Sequence, residues 1–318
     1  MNASSARRYL PSHKTPHAKG HFKRPRHTGV SLVEVIVVVF ILVILLALSI
    51  PFVRNMRELT RRSNCDQNLI RLGLAMQAYS TDNAHLPSGT ASYNATFRFW
   101  PEVPSPAEPN ADASPVDLAI VSEPEGYHHN WALASLPYVD QVGLSQSIDT
   151  TSSIYSESNR LIRETMIPVF RCPSDDSLPT NASYAGLHHS AANPISASNN
   201  GLMFLNGWVR PEEVPDGMSS TILFGEKLSF AGELGWCSGT RATLRNAGHA
   251  INAIPQSDQL ENPSFVGGLG SRHFGGASVI KGDGAVTFIS ETIDQKLFQS
   301  MVNRNDQLVL ASDAVISE

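Results

Sequence analysis

Gly29-Val-Ser-Leu-Val-Glu34 opens an apolar run that continues from Val35 to Val53 and ends at Arg54. A helix of about 20 residues crosses the hydrocarbon core of a bilayer, so residues 32–53 are long enough to do so. Glu34 is the exception in this stretch, because an ionised carboxylate at such depth is costly unless it has a dedicated partner. The sequence therefore predicts a transmembrane helix that keeps one acidic group.

Three simpler interpretations of this segment stay open, and each leaves one of its features unexplained. A secretory signal peptide has an apolar region of roughly 7–15 residues, whereas this run is longer and contains a glutamate. An uncleaved signal anchor does not account for Gly29 and Glu34 together. A buried core helix does not need apolar residues on all of its sides.

The charges are distributed unevenly between the N-terminal leader and the rest of the chain. Residues 1–29 of the 318-residue chain contain seven of its 24 basic residues and no acidic one. The other 17 basic residues stand against 29 acidic ones, a net charge of −12. By the positive-inside rule, the leader stays cytoplasmic and the C-terminal part is exported. Such an acidic remainder argues against nucleic-acid binding, which depends on phosphate neutralisation.

Three cysteines, Cys65, Cys172 and Cys237, lie in the part predicted to be exported. An oxidising compartment favours one disulfide and one remaining thiol. No pair has the C-x-x-C spacing, so neither a zinc site nor a redox motif is predicted. Pairing of Cys65 with Cys172 is favoured because it would tie the long helix to the globular part, although the sequence does not exclude the other pairings.

The helix is predicted to continue beyond the apolar segment, because apolar residues after Pro51 recur at helical spacing. The stripe, with one arginine in it, consists of Leu59, Arg62, Cys65, Leu69, Leu72, Met76 and Tyr79. The opposite face carries Arg54, Arg57, Arg61, Asn64, Asn68 and Arg71. We expect one helix within residues 30–82, bent or locally unwound at Pro51, which lacks a backbone donor.

Residues 83–318 are predicted to form an α+β domain with a proline-rich insertion at 101–126. Its strand-like runs are Leu202–Leu205, Thr221–Phe224, Ala277–Ile280 and Ala285–Ile289. Short strands separated by turn residues indicate a mostly antiparallel sheet packed on the helix. Residues 180–200 are polar and rich in Gly, Asn and Ser, and no strand is predicted there.

The last two runs are predicted to form a β-hairpin around Gly282-Asp-Gly284, because Asp-Gly tolerates the positive φ of such turns. Ser290 or Thr292 is expected to cap a final helix that ends near Met301.

Four fragments further along the chain carry a family resemblance. They are Asn64–Ala75, Pro168–Asp175 with Cys172, Asp216–Glu226 with Asp216-Gly217, and His273 followed after nine residues by Asp283-Gly284. In this order and behind such an N-terminus, they resemble the prepilin-like bacterial family called domain of unknown function 1559, whose C-terminal signature is His-x9-Asp-Gly.

The resemblance implies a pilin-like fold and processing by a prepilin peptidase and methyltransferase. Cleavage would follow Gly29, Val30 would be N-methylated, and Glu34 would neutralise the new amino group of a neighbouring subunit during assembly. Val30 and Ser31 depart from the usual Phe and Thr, but cleavage depends chiefly on the glycine. The resemblance implies no cofactor and no enzymatic activity.

Each polar residue of the signature also has a simpler interpretation. His273 is expected to hydrogen-bond to a turn and hold the hairpin; a metal or catalytic role lacks a third ligand or a nucleophile. Asp216-Gly217 is expected to form a tight turn before a strand, with a calcium ligand as the alternative. The pairs His128-His129 and His188-His189 are expected to be surface or loop histidines, and no metal site is predicted.

Three functional hypotheses follow from these observations. The first is a single-pass inner-membrane subunit of a type IV pilus-like or type II secretion pseudopilus-like structure, with lipid and neighbouring subunits as partners. The second is an anchored, exported binding module, for example for polysaccharide. The third is an exported hydrolase that uses His273 and Asp283.

Overall fold

The computed structural model describes residue 29, residues 31–92 and residues 119–306. The leader, Val30 and most of the proline-rich insertion lie outside the described residues. The chain divides into two compact units at the Val53–Arg54 boundary. The domain bounds expected from the sequence stay predictions.

A single helix, α1, extends over Leu32–Asn83 and contains 52 residues. It continues through Pro51 without a break, and the bend expected there stays a prediction. The large apolar side chains between Leu32 and Leu46 are 42–77% exposed. Among the described residues, no helix was found with the length and apolarity needed to cross a membrane.

The C-terminal half of α1 packs on the second unit along the predicted stripe. Cys65, Leu69, Leu72 and Met76 are buried, which confirms that part of the stripe. Leu59, the first member of the stripe, is 60% exposed, so the fully buried apolar part of the stripe begins after it. Helical periodicity alone does not indicate where a neighbouring surface starts.

Five strands form one mixed sheet. They are β1 Tyr184–His189, β2 Ile222–Glu226, β3 Leu244–Asn246, β4 Gly276–Lys281 and β5 Val286–Ser290, in the order β3-β1-β2-β4-β5. The β1–β3 pair is parallel and the other three pairs are antiparallel. The α+β class is confirmed, and the sheet is mostly antiparallel but mixed.

Short helices connect and cover the strands. The α-helices are α2 Trp131–Ser135, α3 Val142–Ser145, α4 Arg160–Glu164, α5 Ser257–Glu261 and α6 Gln295–Ser300. Single 3-10 turns occupy Leu136–Val139, Glu157–Asn159, Pro168–Phe170 and Pro211–Glu213.

The two faces of the sheet contact different hydrophobic clusters. Ile280 of β4 joins the larger cluster, which contains Leu69 and Trp131. Val279, its neighbour in the strand, joins a second cluster with Phe298 of α6. Side chains alternate between the faces of a strand, so α1 and α6 cover opposite faces of the sheet.

One strand was missed in the sequence and another was predicted wrongly. Strand β1 lies within residues 180–200, where no strand was predicted; its first five residues are buried, so the alternation that marks a strand is absent. Leu202–Leu205 is not a strand, although Met203 N–H donates to the carbonyl of Leu187 at 3.1 Å and Leu205 bridges to Thr90.

The predicted hairpin is confirmed, and the predicted helix cap is wrong. Strands β4 and β5 pair in register up to Ile280 opposite Val286, and Gly284 in the turn has φ +90°. The cap of α6 is Asp294, whose side chain accepts from Leu297 N–H at 2.9 Å. The hydroxyls of Ser290 and Thr292 bond to each other at 2.8 Å instead.

Leu69→Ala is expected to lower the free energy of unfolding by about 2–5 kcal/mol, because the residue is fully buried between α1 and the sheet. Leu59→Ala is the matched control on the same helix and should change it by less than about 0.5 kcal/mol. Denaturant titration of both variants measures the difference. Equal effects would contradict the packing of α1.

Candidate functional site

His273 lies in the loop before β4, where its imidazole is enclosed between two carboxylates. Its Nδ1 is 2.7 Å from Oε1 of Glu58 on α1. Its Nε2 is 3.4 Å from Oε1 of Glu226 at the end of β2. The side chain of His273 is 2% exposed, that of Glu226 is 3% exposed, and that of Glu58 is 47% exposed. The histidine thus joins a buried carboxylate to a half-exposed one.

A disulfide lies directly beside this histidine. Cys65 of α1 is bonded to Cys172, which is the pairing that the sequence analysis favoured. The Sγ atom of Cys172 is 3.5 Å from His273 Nε2. Glu58, Cys65, Cys172, Glu226 and His273 are called the His273 cluster below. Cys237 is a free, buried cysteine.

Hydrogen bonds from backbone N–H groups fix two members of the cluster, Glu226 and Cys172. Glu226 Oε2 accepts from Ser278 N–H at 2.9 Å, which links the end of β2 to β4. Cys172 N–H donates to Ser183 Oγ at 3.0 Å, and that hydroxyl donates in turn to Asp175 at 2.5 Å. The turn at Cys172-Pro-Ser-Asp175 is therefore a fixed support for one half of the disulfide.

The electrostatics of the cluster favour the protonated histidine. Burial by itself lowers the pKa of His273, but hydrogen bonds and charge attraction from Glu226 and then Glu58 outweigh it and raise this pKa above its usual value. A charged His273 supplies the counter-charge that a buried Glu226 carboxylate requires.

The four fragments that carry the family resemblance meet at this cluster. Each contributes one member: Cys65, Cys172, Glu226 and His273 come from the four fragments in chain order. The fifth member, Glu58, lies outside all of them and was missed. A glutamate at the N-terminal end of an amphipathic stripe was its only signal in the sequence, and such residues are normally solvated.

Asp283-Gly284, ten residues after His273, contacts α1 at a second place. Gln77 Nε2 of α1 donates to the main-chain carbonyl of Asp283 at 2.6 Å. A Cβ added to Gly284 would lie 2.7 Å from the same Gln77 amide, so the glycine permits this close approach. The hydrogen bond expected from His273 to a turn of the hairpin was wrong, because its ring bonds to Glu58 and Glu226.

The remaining predicted site residues are distributed over the chain. Asp216-Gly217 forms the expected turn, with Gly217 at φ +81°, ahead of β2. Glu34 is exposed on α1. His128 and His129 lie in a loop, as one of the two expectations had it, but both are buried. His188 and His189 belong to β1, so neither expectation holds for the buried His188. Burial lowers the pKa of His128 and His129 to about 4 and that of His188 to about 3.

A buried ion cluster next to Glu226 was also missed. Lys227 and Arg245 both bond to Glu233, and all three side chains are fully buried. Burial lowers the pKa of Lys227 to about 8, against the opposing attraction of Glu233. Three ionic groups satisfy one another here, so this arrangement acts as an internal support for the strand that carries Glu226.

In its disulfide form the His273 cluster is an ion pair beside a covalent crosslink. The sulfurs of a disulfide are not thiolates, so two buried donor side chains, His273 and Glu226, face each other there. The chemistry that this geometry supports in that form is charge pairing and proton uptake by the imidazole.

The geometry defines a class of α+β protein in which a long helix is fastened to a mixed sheet by a disulfide and a glutamate–histidine–glutamate bridge. The chain matches the family described as protein of unknown function (DUF1559) over residues 54–296, and it belongs to that family. The matched residues include the whole His273 cluster. None of the curated proteins and none of the solved structures with which the chain was compared matches it.

The contribution of His273 to stability is expected to decrease as the pH rises. Its folded-state pKa lies above the unfolded value of about 6.5, so the stabilisation is complete below about pH 6.5 and is lost as the pH passes the raised pKa. Denaturant unfolding of the native chain and His273→Gln, from about pH 6 to about pH 9, measures this difference.

His249→Gln is the control, because burial lowers the pKa of His249 and gives a dependence of opposite sign. A difference between the native chain and His273→Gln that grows with pH would contradict the charge pairing.

Proposed function

We propose that the chain is a pilin-like structural subunit that is cleaved after Gly29 and assembles through its N-terminal helix. One observation carries this proposal. The large side chains between Leu32 and Leu46 are apolar and exposed. The C-terminal half of the same helix contributes to the core of the second unit, residues 54–318, which is called the head below. A helix that is apolar on all sides is stable only when lipid or other helices cover it.

Two successive environments can cover this apolar segment. Membrane lipid would hold it before assembly, with the basic leader on the cytoplasmic side. In the assembly, the same segments of neighbouring subunits would pack against one another. The Cys65–Cys172 disulfide supports export of the head, since disulfides persist in oxidising compartments.

Glu34 would have its partner in this assembly. Cleavage after Gly29 would create an amino group at Val30, four residues before the carboxylate. Two opposite charges in an apolar environment stabilise each other strongly, whereas each alone is costly. The pairing of Glu34 with Val30 of a neighbouring subunit would therefore select the correct axial stagger.

A cleft on the head favours a second candidate, an anchored binding module. Phe204, Trp208 and Arg304 line a cavity of about 320 Å³, and the Arg304 guanidinium lies 4.6 Å from the centre of the Phe204 ring. Arg304 covers the buried Phe204 ring, whereas Trp208 is half-buried and can offer an apolar ring face to a polysaccharide. This candidate would be favoured over the first if residues 55–318 bind sugar and if variants that cannot assemble still bind it.

Gly29→Ala is expected to block processing. The protein recovered from membranes should retain its original N-terminus and exceed the native protein in mass by residues 1–29. Intact mass and N-terminal sequencing of both proteins measure this, and the native protein should begin with N-methylated Val30. Ser31→Ala is the control and should be processed normally; a native terminus beyond Val53 would contradict the proposal.

Glu34→Gln is expected to abolish assembly while cleavage continues, because it removes the charge that pairs with the new amino group. Crosslinking in membranes and electron microscopy of sheared material measure assembly. Val38→Ala, an apolar change in the same exposed segment, is the control and should assemble. If Glu34→Gln assembles normally, the proposed pairing of Glu34 with the amino group of Val30 is wrong.

A further inference from the structure

We propose that Cys65, Cys172, Glu226 and His273 bind one zinc ion when the disulfide is reduced. The donor atoms of these four side chains all lie within 4.8 Å of one another. All four residues are buried, with at most 6% of their surface exposed. Two thiolates, one imidazole and one carboxylate form a donor set that zinc accepts. The inference goes beyond the proposed assembly and does not depend on it.

The distances already match a tetrahedral site on two sides. Zinc bonds of about 2.3 Å to sulfur and about 2.0–2.2 Å to nitrogen and oxygen place tetrahedral ligand atoms roughly 3.3–3.8 Å apart. His273 Nε2 is 3.5 Å from Cys172 Sγ and 3.4 Å from Glu226 Oε1. Breaking the S–S bond lets the two sulfurs separate to the remaining distances.

The orientation of His273 is the one that a metal-binding histidine requires. Its Nδ1–H can donate to Glu58 at 2.7 Å, so that Nε2 faces the sulfurs and Glu226 and offers its lone pair to the metal once its proton has been displaced. Zinc-binding histidines commonly have such a carboxylate behind the ring, where it fixes the tautomer and increases the basicity of the other nitrogen. Glu58 therefore acts as a positioning residue and not as a ligand.

The metal has a place to enter. A narrow cleft of about 10 Å³, roughly the volume of one water, is lined by Cys172, Glu226 and Arg272. Its opening reaches two of the four proposed ligands directly.

The exchange between the two forms balances in electrons and protons. A dithiol reductant supplies two electrons and two protons, the Cys65–Cys172 bond breaks, and the dithiol becomes a disulfide. Zinc then displaces one proton from each thiol and the Nε2 proton of His273, so that it binds both thiolates and the neutral imidazole. A two-electron oxidant re-forms the disulfide and releases the zinc. In both forms, α1 stays linked to the head at Cys65.

The test uses the purified full-length chain and Co²⁺ alone as the probe, with Zn²⁺ as the competitor. The chain reduced by a phosphine should bind one equivalent of Co²⁺ with tetrahedral and thiolate absorption bands, and Zn²⁺ should displace it. The oxidised chain should bind none. Cys237→Ser should behave as the native chain, because that thiol lies outside the cluster.

Variants in which both cysteines are retained distinguish metal binding at this site from incidental metal binding elsewhere. Glu58→Gln should weaken Co²⁺ binding by about 10- to 100-fold, because it removes the carboxylate that orients His273 but removes no metal ligand. Glu226→Gln should weaken it further, and Asp82→Asn on the same helix should leave it unchanged.

The proposal is overturned if the reduced chain binds no Co²⁺ or if the thiolate bands are absent. It also fails if the oxidised chain binds equally well. Circular dichroism shows whether reduction unfolds the chain. If it does, and if Co²⁺ binding is unchanged by Glu58→Gln and by Glu226→Gln, the proposed site does not exist.

Discussion

The Cys65–Cys172 disulfide is the constraint on which the head depends, because it fixes α1 to a turn far along the chain, ahead of the first strand of the sheet. The crosslinked positions are 107 residues apart. In the chain-entropy account, closing a loop of that length stabilises the folded state by about 4–5 kcal/mol. It also brings α1 into reach of His273, so that Glu58 and Glu226 can share one protonated imidazole between a helix and a strand.

The elements that could be predicted from sequence are those with a strong local period or a definite turn. The stripe of α1 and the hairpin around Gly284 are of this kind. Strand β1 was missed because burial on both faces removes the alternation by which a strand is recognised. Strand β3 has three residues, which is too short for a recognisable pattern. The cap of α6 was misassigned because Ser290 and Thr292, which can also cap a helix, lie close to Asp294 in the sequence.

The site was predictable only in part for a related reason. Family fragments drew attention to Cys172 and His273, but their convergence with Glu226 is a property of the sheet order and of the position of α1. Glu58 and His273 are 215 residues apart, and nothing local marks the glutamate as a partner. A spacing rule such as C-x-x-C finds ligands on one loop, whereas these donors come from α1, two loops and a strand.

The contacts of α1 with the head form a row that resists both sliding and rotation of the helix. Glu58 bonds to His273, the Arg62 guanidinium lies 3.7 Å from the centre of the Phe288 ring, and Gln77 bonds to the carbonyl of Asp283. These positions extend over roughly 28 Å of helix at 1.5 Å per residue. In the proposed assembly, any force on the N-terminal segment would reach the head through α1. A row of separate polar anchors around a covalent one would transmit such a force without register slip, and the contacts of His273 and Asp283 with α1 are two of these anchors.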